Sequence, residues 1–212
     1  MKIKKYAHAC LLVEENGVRI VIDPGAYNPM PDTENIDAIL ITHEHQDHFD
    51  IGQVKEILAK SPESKVITVA EVAQKLSDEG IQVEVITEGD EVFVKDLSIR
   101  GHGTKHALIY KDMPNCQNTG FLIANKLYHP GDALHMPSEP VEVLALPAGG
   151  PWMKIGEAIE YAEKVHPKIV FPIHDAFYRP NMNGSFVRFA KMIFEPAGIE
   201  YREMGEGAEE EF

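Results

Sequence analysis

Thr42-His43-Glu44-His45-Gln46-Asp47-His48 sets three histidines and an aspartate within six residues, directly after the apolar run Ala38-Ile39-Leu40-Ile41. Such a run reads as a strand buried on both faces. Asp50 can cap a helix beginning near Ile51, with Val54, Ile57 and Leu58 on one face. The histidines therefore sit where a buried strand turns into a helix. In extended backbone residues i and i+2 point the same way, so His43 and His45 can share one ion. Asp47 and His48 begin the turn and can serve a second position nearby. Imidazole and carboxylate donors suit Zn²⁺ and other borderline divalent ions. A solvated loop would seldom gather histidine at this density. A zincin helix is excluded, because the residue four after His43 is Asp47 rather than His.

The surroundings of this segment occur twice. Leu11-Leu12-Val13, Asn16-Gly17 and Val18 to Ile22 read as a hairpin with a tight Asn-Gly turn that ends at Asp23-Pro24-Gly25. Lys65 to Val69 is a further strand. About 105 residues on, Phe121 to Tyr128 repeats the hairpin and ends at His129-Pro130-Gly131-Asp132, and Val143 to Leu146 repeats the buried run. Ile155, Ala158, Ile159, Ala162 and Val165 then mark an amphipathic helix, and Ile169 to Phe171 a strand. The pattern predicts two similar sheet-plus-helix halves packed face to face. Between them, Ile81 to Asn118 reads as short strands. Ser185 to Phe194 reads as a last helix, and the tail from Glu203, with five acids and no base, as a solvated end.

Two metals need six or seven ligands. The remaining candidates are His8, His102, His106, His129, His135, His166 and His174, with Asp23, Asp132 and Asp175. His174 follows the strand of the second half, and Asp132 ends the second hairpin after Gly131. Spacing alone does not separate His102 from His106. Asp23 suits either a carboxylate that accepts the second N–H of a ligand histidine or a turn before Pro24. His8 can line the mouth of the site or be a buried structural histidine, and His129 reads as structural support. Gly149-Gly150 can offer backbone N–H groups to an anion or form a plain turn, and Trp152 can wall the pocket or fill the core. Cys10 reads as a buried strand residue. Cys116 reads as a loop residue without a cation partner, and His102, His135 and His166 otherwise as ordinary loop positions.

The ordered set of Ile22-Asp23-Pro24, the Thr42–His48 string, His129-Pro130-Gly131-Asp132 and Pro172-Ile173-His174 resembles the metallo-β-lactamase-fold hydrolases. Ala7-His8-Ala9, Tyr128 to Asp132 and Leu146-Pro147-Ala148-Gly149-Gly150 are similar to the branch that includes ascorbate-6-phosphate lactonase and other metal-dependent hydrolases. Ala7 here stands where that branch has Gly. The resemblance implies a four-layer αβ/βα sandwich, with two mixed sheets face to face, helices outside, and one domain over 1–212. It implies His43, His45 and His106 around one metal, and Asp47, His48 and His174 around the other. Asp132 would bridge, and His106 is preferred to His102. Asp47 and Asp132 would be catalytic, with Asp47 orienting a hydroxide and accepting its proton. The cofactors expected are two divalent ions, Zn first, with Mn, Fe or Ni as alternatives.

The expected reaction is hydrolysis of a small ester, lactone or phosphoester. The alternative is a non-haem iron dioxygenase or other redox enzyme on the same fold. Flavin-linked di-iron members would carry an acid at position 45, and mononuclear iron dioxygenases keep the string. A glyoxalase II-like thioesterase would need an added helical region. A net charge of −14, from 20 Lys and Arg against 34 Asp and Glu, disfavours nucleic-acid binding. Two cysteines make no disulfide framework, and no apolar stretch reads as an export signal or membrane span. The expectation is a cytoplasmic enzyme with a small-molecule substrate, no membrane partner, and room for homo-oligomer formation.

Overall fold

In the computed structural model, which describes residues 1–29, 31–176 and 190–212, the chain forms two seven-stranded sheets. The first contains β1 (Lys2–Ala7), β2 (Cys10–Glu15), β3 (Val18–Ile22), β4 (Ala38–Ile41), β5 (Lys65–Thr68) and β6 (Glu84–Val85). The second contains β7 (Glu91–Val94), β8 (Leu97–His102), β9 (Gly120–Ile123), β10 (Leu127–His129), β11 (Val143–Pro147), β12 (Ile169–Ile173) and β13 (Glu200–Tyr201). A last strand, β14 (Glu209–Glu211), crosses back to the first sheet. The sheet orders are β14-β1-β2-β3-β4-β5-β6 and β7-β8-β9-β10-β11-β12-β13. Position by position, the strand pairs are antiparallel up to β3 and β10 and parallel beyond them in both sheets. The repeat read in the sequence is thus a repeat of topology.

Alternation along the central strands explains the layering. Ala38 and Leu40 of β4 join Val143 and Ala145 of β11 in a core shared by both sheets. Ile39 and Ile41 face the opposite way, onto α1 (Ile51–Lys60) and α2 (Ala70–Asp78). Leu144 and Leu146 likewise face α3 (Ile155–Val165) and the helical residues 190–194. A strand buried on both faces must be apolar at every position, which is why β4 and β11 lack polar alternation. The outcome is the four-layer sandwich, helices outside. The Asn16-Gly17 turn has φ of 51° and 75°, the left-handed pair that a two-residue hairpin turn requires. Asp50 caps α1 by accepting from the Gln53 N–H at 2.8 Å, a contact worth about 1 kcal/mol.

One expectation is corrected. The acidic tail is a paired edge strand: β14 runs antiparallel to β1, with Lys2 opposite Glu211 and Lys4 opposite Glu209. The lysines of β1 supply the missing cations; Lys2 Nζ lies 2.8 Å from Glu209. The Arg202 guanidinium sits 4.8 Å over the Phe212 ring. The segment after β5 is a helix, α2, which buries Val72, Ala73 and Leu76. Its N-cap is Val69, which makes no side-chain cap, so the usual start signal is missing. Residues 185–189 of the expected last helix lie outside the described residues, and 190–194 are helical. No described helix is long and apolar enough to cross a membrane.

Candidate metal centre

The carboxyl ends of β3, β4, β10 and β12 lie along one rim, where open α/β sheets generally present ligand sites. Asp23 leaves β3, the Thr42–His48 segment leaves β4, Asp132 follows β10, and His174 follows β12. The β1–β2 turn adds His8, and the loop after β8 adds His106. Three of these residues have left-handed backbones: His8 (φ 49°), Asp23 (φ 48°) and His174 (φ 54°). That conformation is uncommon outside glycine and gathers at functional sites, where packing over-determines it.

Two sets of donor atoms result, each with every member within 4.8 Å of the others: His43, His45, His106 and Asp132, and His8, Asp47, His48 and His174. The Asp132 carboxylate stands between them. Its oxygens lie 3.3 Å from His106 Nε2, 4.0 Å from His43 Nε2, 3.1 Å from His48 Nε2 and 2.9 Å from His174 Nε2. Asp47 Oδ2 lies 3.1 Å from His8 Nε2, 3.5 Å from His174 Nε2 and 3.9 Å from His48 Nε2.

In His43, His48, His106 and His174 the other ring nitrogen fixes the orientation of the ring. His48 Nδ1 donates to Asp23 Oδ2 at 2.7 Å. Thr42 Oγ1 donates to the same carboxylate at 2.8 Å, so it accepts from His43 Nδ1 at 3.0 Å. His106 Nδ1 donates to the Ala107 carbonyl and His174 Nδ1 to the Gly149 carbonyl, each at 2.5 Å. With Nδ1 committed, each of these rings turns its Nε2 toward the centre. The Nε2 atoms of His43, His48 and His106 are buried and have no directed hydrogen bond among the described residues. Buried polar atoms are seldom left so. Oriented imidazoles around a shared carboxylate are a donor set that fits divalent ions.

Charge follows the same geometry. Burial opposes ionisation of Asp132, but His48 and His174 outweigh it and hold the carboxyl well below its usual range. Asp47 is likewise lowered, burial being overcome by hydrogen bonds from His174 and His8. Burial would lower His174, yet Asp132 and Asp47 raise it to about 9. His48 is raised against burial by Asp132 and Asp23. Burial, then neighbouring imidazoles, hold His43 and His45 low.

The structure brings His106, not His102, to the other histidines. His102 instead faces Glu139 at 3.3 Å and meets the edge of Tyr128. His129 donates from Nε2 to the Ala9 carbonyl at 3.1 Å and so ties the two halves together behind the site. Trp152 Nε1 donates to Asp132 Oδ2 at 2.9 Å, and its ring meets His106 and His174 edge-on. Gly149 turns its carbonyl, not its N–H, toward His174. At Gly150 a Cβ would come 2.8 Å from Trp152 Nε1.

Other supports gave no sequence signal. Asn118 accepts from the Asp132 N–H at 2.9 Å and donates to the Pro130 carbonyl at 2.9 Å, clamping the turn that carries Asp132. His135 Nε2 donates to the Lys105 carbonyl at 2.8 Å, beside His106. Lys5, fully buried on β1, donates to the Pro172 and Met204 carbonyls and pairs with Asp175 at 2.7 Å, bracing the corner that carries His174. Cys116 is buried with its sulfur 3.7 Å from His45 Nε2, so it has a partner that its loop position hid; burial, with Glu44 and Glu71 nearby, pushes its thiol up to about 12.

Gly25 marks where the exit of β3 passes beneath the motif. A Cβ there would lie 2.1 Å from the Asp47 carbonyl oxygen and 2.5 Å from His48 N. Backbone cannot yield as a flexible side chain does. Gly25→Ala is expected to cost at least about 3 kcal/mol, the upper range for overpacking. At about 2–4 °C per kcal/mol, the melting temperature should fall by roughly 6–12 °C. Uptake at the Asp47–His48 set should weaken before that at the His43–His45 set. A melting temperature within a degree of wild type would contradict this packing.

A family described as "Beta-lactamase superfamily domain" matches residues 2–174. Protein Rv0786c of Mycobacterium tuberculosis is 36% identical over 192 residues, covering 88% of this chain and 89% of that protein. A UPF0173 metal-dependent hydrolase of Carboxydothermus hydrogenoformans is 32% identical, covering 82% and 84%. Among solved structures, the metallo hydrolase Igni18 of Ignicoccus hospitalis superposes with a TM-score of 0.76 at 25% identity, covering 100% of this chain and 98% of that one. With its two-sheet sandwich and histidine–carboxylate rim, the chain belongs to the beta-lactamase superfamily, among its metal-dependent hydrolases.

Proposed function

We propose that the chain binds two divalent ions and hydrolyses a small ester, lactone or phosphoester. His43, His45 and His106 would hold the first ion and Asp47, His48 and His174 the second, with the Asp132 carboxylate shared between them. One observation carries this reading: the buried Nε2 atoms of His43, His48, His106 and His174 converge on the Asp132 carboxylate while the Nδ1 of each of these four rings is spent on a fixed acceptor. When bound, such ions would supply a water activated near neutral pH and polarisation of a carbonyl or phosphoryl oxygen.

The chain's own groups do the rest. Asp47 Oδ2, 3.1 Å from His8 Nε2 and 3.5 Å from His174 Nε2, would receive the proton of an attacking water, and His8 would relay it. Trp152 holds the Asp132 carboxylate through its Nε1–H and sets its ring edge-on to His106 and His174. Two dications exceed the charge of Asp47 and Asp132, so the rim favours an anionic small molecule despite the acidic chain. Zinc is the ion that these donors suit best, and a cytoplasmic, small-molecule role without nucleic acid accords with the composition.

The test is metal analysis of anaerobically purified protein, with a panel of lactones, phosphodiesters and thioesters assayed on Zn²⁺, Mn²⁺ and Fe²⁺ forms. Two ions per chain with hydrolytic turnover are expected. One iron per chain with oxygen uptake would overturn the reading in favour of a dioxygenase. Uptake also carries a pH signature. In chelator-stripped protein His48 and His174 are raised, so they are protonated at neutral pH and must lose those protons to bind. Affinity should therefore rise with pH toward about 9, where His174 titrates, by about tenfold per unit for each proton released. Calorimetry in buffers of different ionisation enthalpy measures that release. An affinity independent of pH between 7 and 9, within about twofold, would rule it out.

A further inference from the structure

Resting on the two-ion reading, we propose that Lys5 is a positioning residue for the second ion, acting through His174 and His8. Alternation along β1 carries it inward: Lys2 and Lys4 are half-buried, whereas Ile3 and Lys5 are buried. Ile3 belongs to the core between the two sheets, and in extended backbone Lys5 shares its face. The ladder to β2 then shifts register between Lys5 and Ala7, and His8 follows in the turn. A lysine 1% exposed thus lies on the inner face of the sandwich, on the strand that leads into the rim. Its backbone is fixed as well, with its N–H on the Ala208 carbonyl at 2.9 Å and its carbonyl on the Gly207 N–H at 2.8 Å.

The ammonium has three N–H groups and three acceptors: Asp175 Oδ2 at 2.7 Å, the Pro172 carbonyl at 2.8 Å and the Met204 carbonyl at 3.1 Å. Pro172 and Asp175 bracket His174 in sequence. The backbone closes the ring, because His174 N donates to the His8 carbonyl at 3.0 Å. His8 and His174, the two histidines in this ring, hold left-handed backbones, with φ of 49° and 54°. Such backbones persist only where the surroundings over-determine them, and Lys5 supplies that constraint. A buried ammonium is a costly way to fill space, since an apolar side chain of similar volume packs without desolvation of a charge. What an apolar chain cannot do is hold two carbonyls and a carboxylate at one point. Asp175, engaged in this way, stands in neither set of candidate ion donors. The His43, His45 and His106 set is carried by the exit of β4 and the loop after β8, so the effect of Lys5 falls on one ion.

The test is Zn²⁺ titration of chelator-stripped protein in two single-site backgrounds. His45→Ala leaves the Asp47, His48 and His174 set, and Asp47→Ala leaves the His43, His45 and His106 set. Lys5→Met should weaken uptake by about 10–100-fold in the first background, the loss typical of a missing support behind a ligand. In the second background it should change affinity by less than about twofold. Asp175→Ala removes one of the three acceptors from a less buried position and should weaken the first background by about tenfold, which decides the matter if Lys5→Met does not fold. Equal losses in the two backgrounds would assign Lys5 to general stability and overturn the proposal, as would unchanged affinity in both. Wild type titrated alongside separates the two readings. Two ions per chain there keep the two-ion reading whatever Lys5 does, and fewer than two overturn both.

Discussion

Asp132→Ala is expected to retain at most one divalent ion and to lose hydrolysis by at least about a thousandfold. That magnitude corresponds to the roughly 4 kcal/mol lost when one preorganised electrostatic contact at a reacting centre is removed. Here the loss is compounded, because the carboxylate touches both donor sets: 3.3 Å from His106, 3.1 Å from His48 and 2.9 Å from His174. Without its charge, two dications would face each other with only histidine between them. The substitution also strips Trp152 Nε1 of its acceptor, leaving a buried donor unpaired at about 1–3 kcal/mol. Asp132→Asn separates these effects, since its amide oxygen can still accept from Trp152. The Asn form should melt close to wild type and bind metal almost as poorly as Ala. Two ions per chain in the Asn variant, with turnover within tenfold of wild type, would remove Asp132 from the centre.

How much of this was legible beforehand depends on how local each feature is. The Thr42–His48 string is contiguous, and its strand-to-helix setting follows from Ala38–Ile41 and Asp50, so the heart of the first half could be read directly. The second half echoed it through the Asn-Gly and Asn-Lys hairpins and the buried runs at β4 and β11, and the two topologies do correspond strand for strand. What escaped were residues whose role depends on partners far along the chain. Asn118 matters because it grips the Asp132 turn, and Lys5 because it reaches Pro172, 167 residues away. Neither has a neighbour in sequence that announces it. The tail misled for the same reason: five acids look solvated until the lysines of β1 are placed beside them. His106 and His102 were inseparable by spacing because the turn after β8, not residue count, decides which imidazole faces inward.

Asp23→Ala is the second large effect expected, and it asks whether the residue is only a turn former before Pro24. The structure gives Asp23 three buried donors at once: Thr42 N at 2.8 Å, Thr42 Oγ1 at 2.8 Å and His48 Nδ1 at 2.7 Å. Truncation leaves all three unpaired in a site with no exposed surface at Asp23, Thr42 or His48. At about 1–3 kcal/mol for each unsatisfied group, the cost is at least about 3 kcal/mol. The backbone adds to it, since φ at Asp23 is 48°, a conformation that Asp tolerates better than Ala. His48 then loses its orientation, and His43 loses the hydroxyl geometry that fixes its Nδ1 proton. Loss of such a support typically weakens metal affinity by about 10–100-fold, so the second ion should be released at concentrations that saturate wild type. Asp23→Asn offers the finer measurement. Its amide keeps one acceptor oxygen but sets an N–H₂ against a donor, so His48 can hold its place only by moving its proton to the nitrogen that should bind metal. Chemical denaturation and metal titration of the two variants read stability and affinity separately. A turn residue would change stability by less than about 0.5 kcal/mol and leave both ions in place.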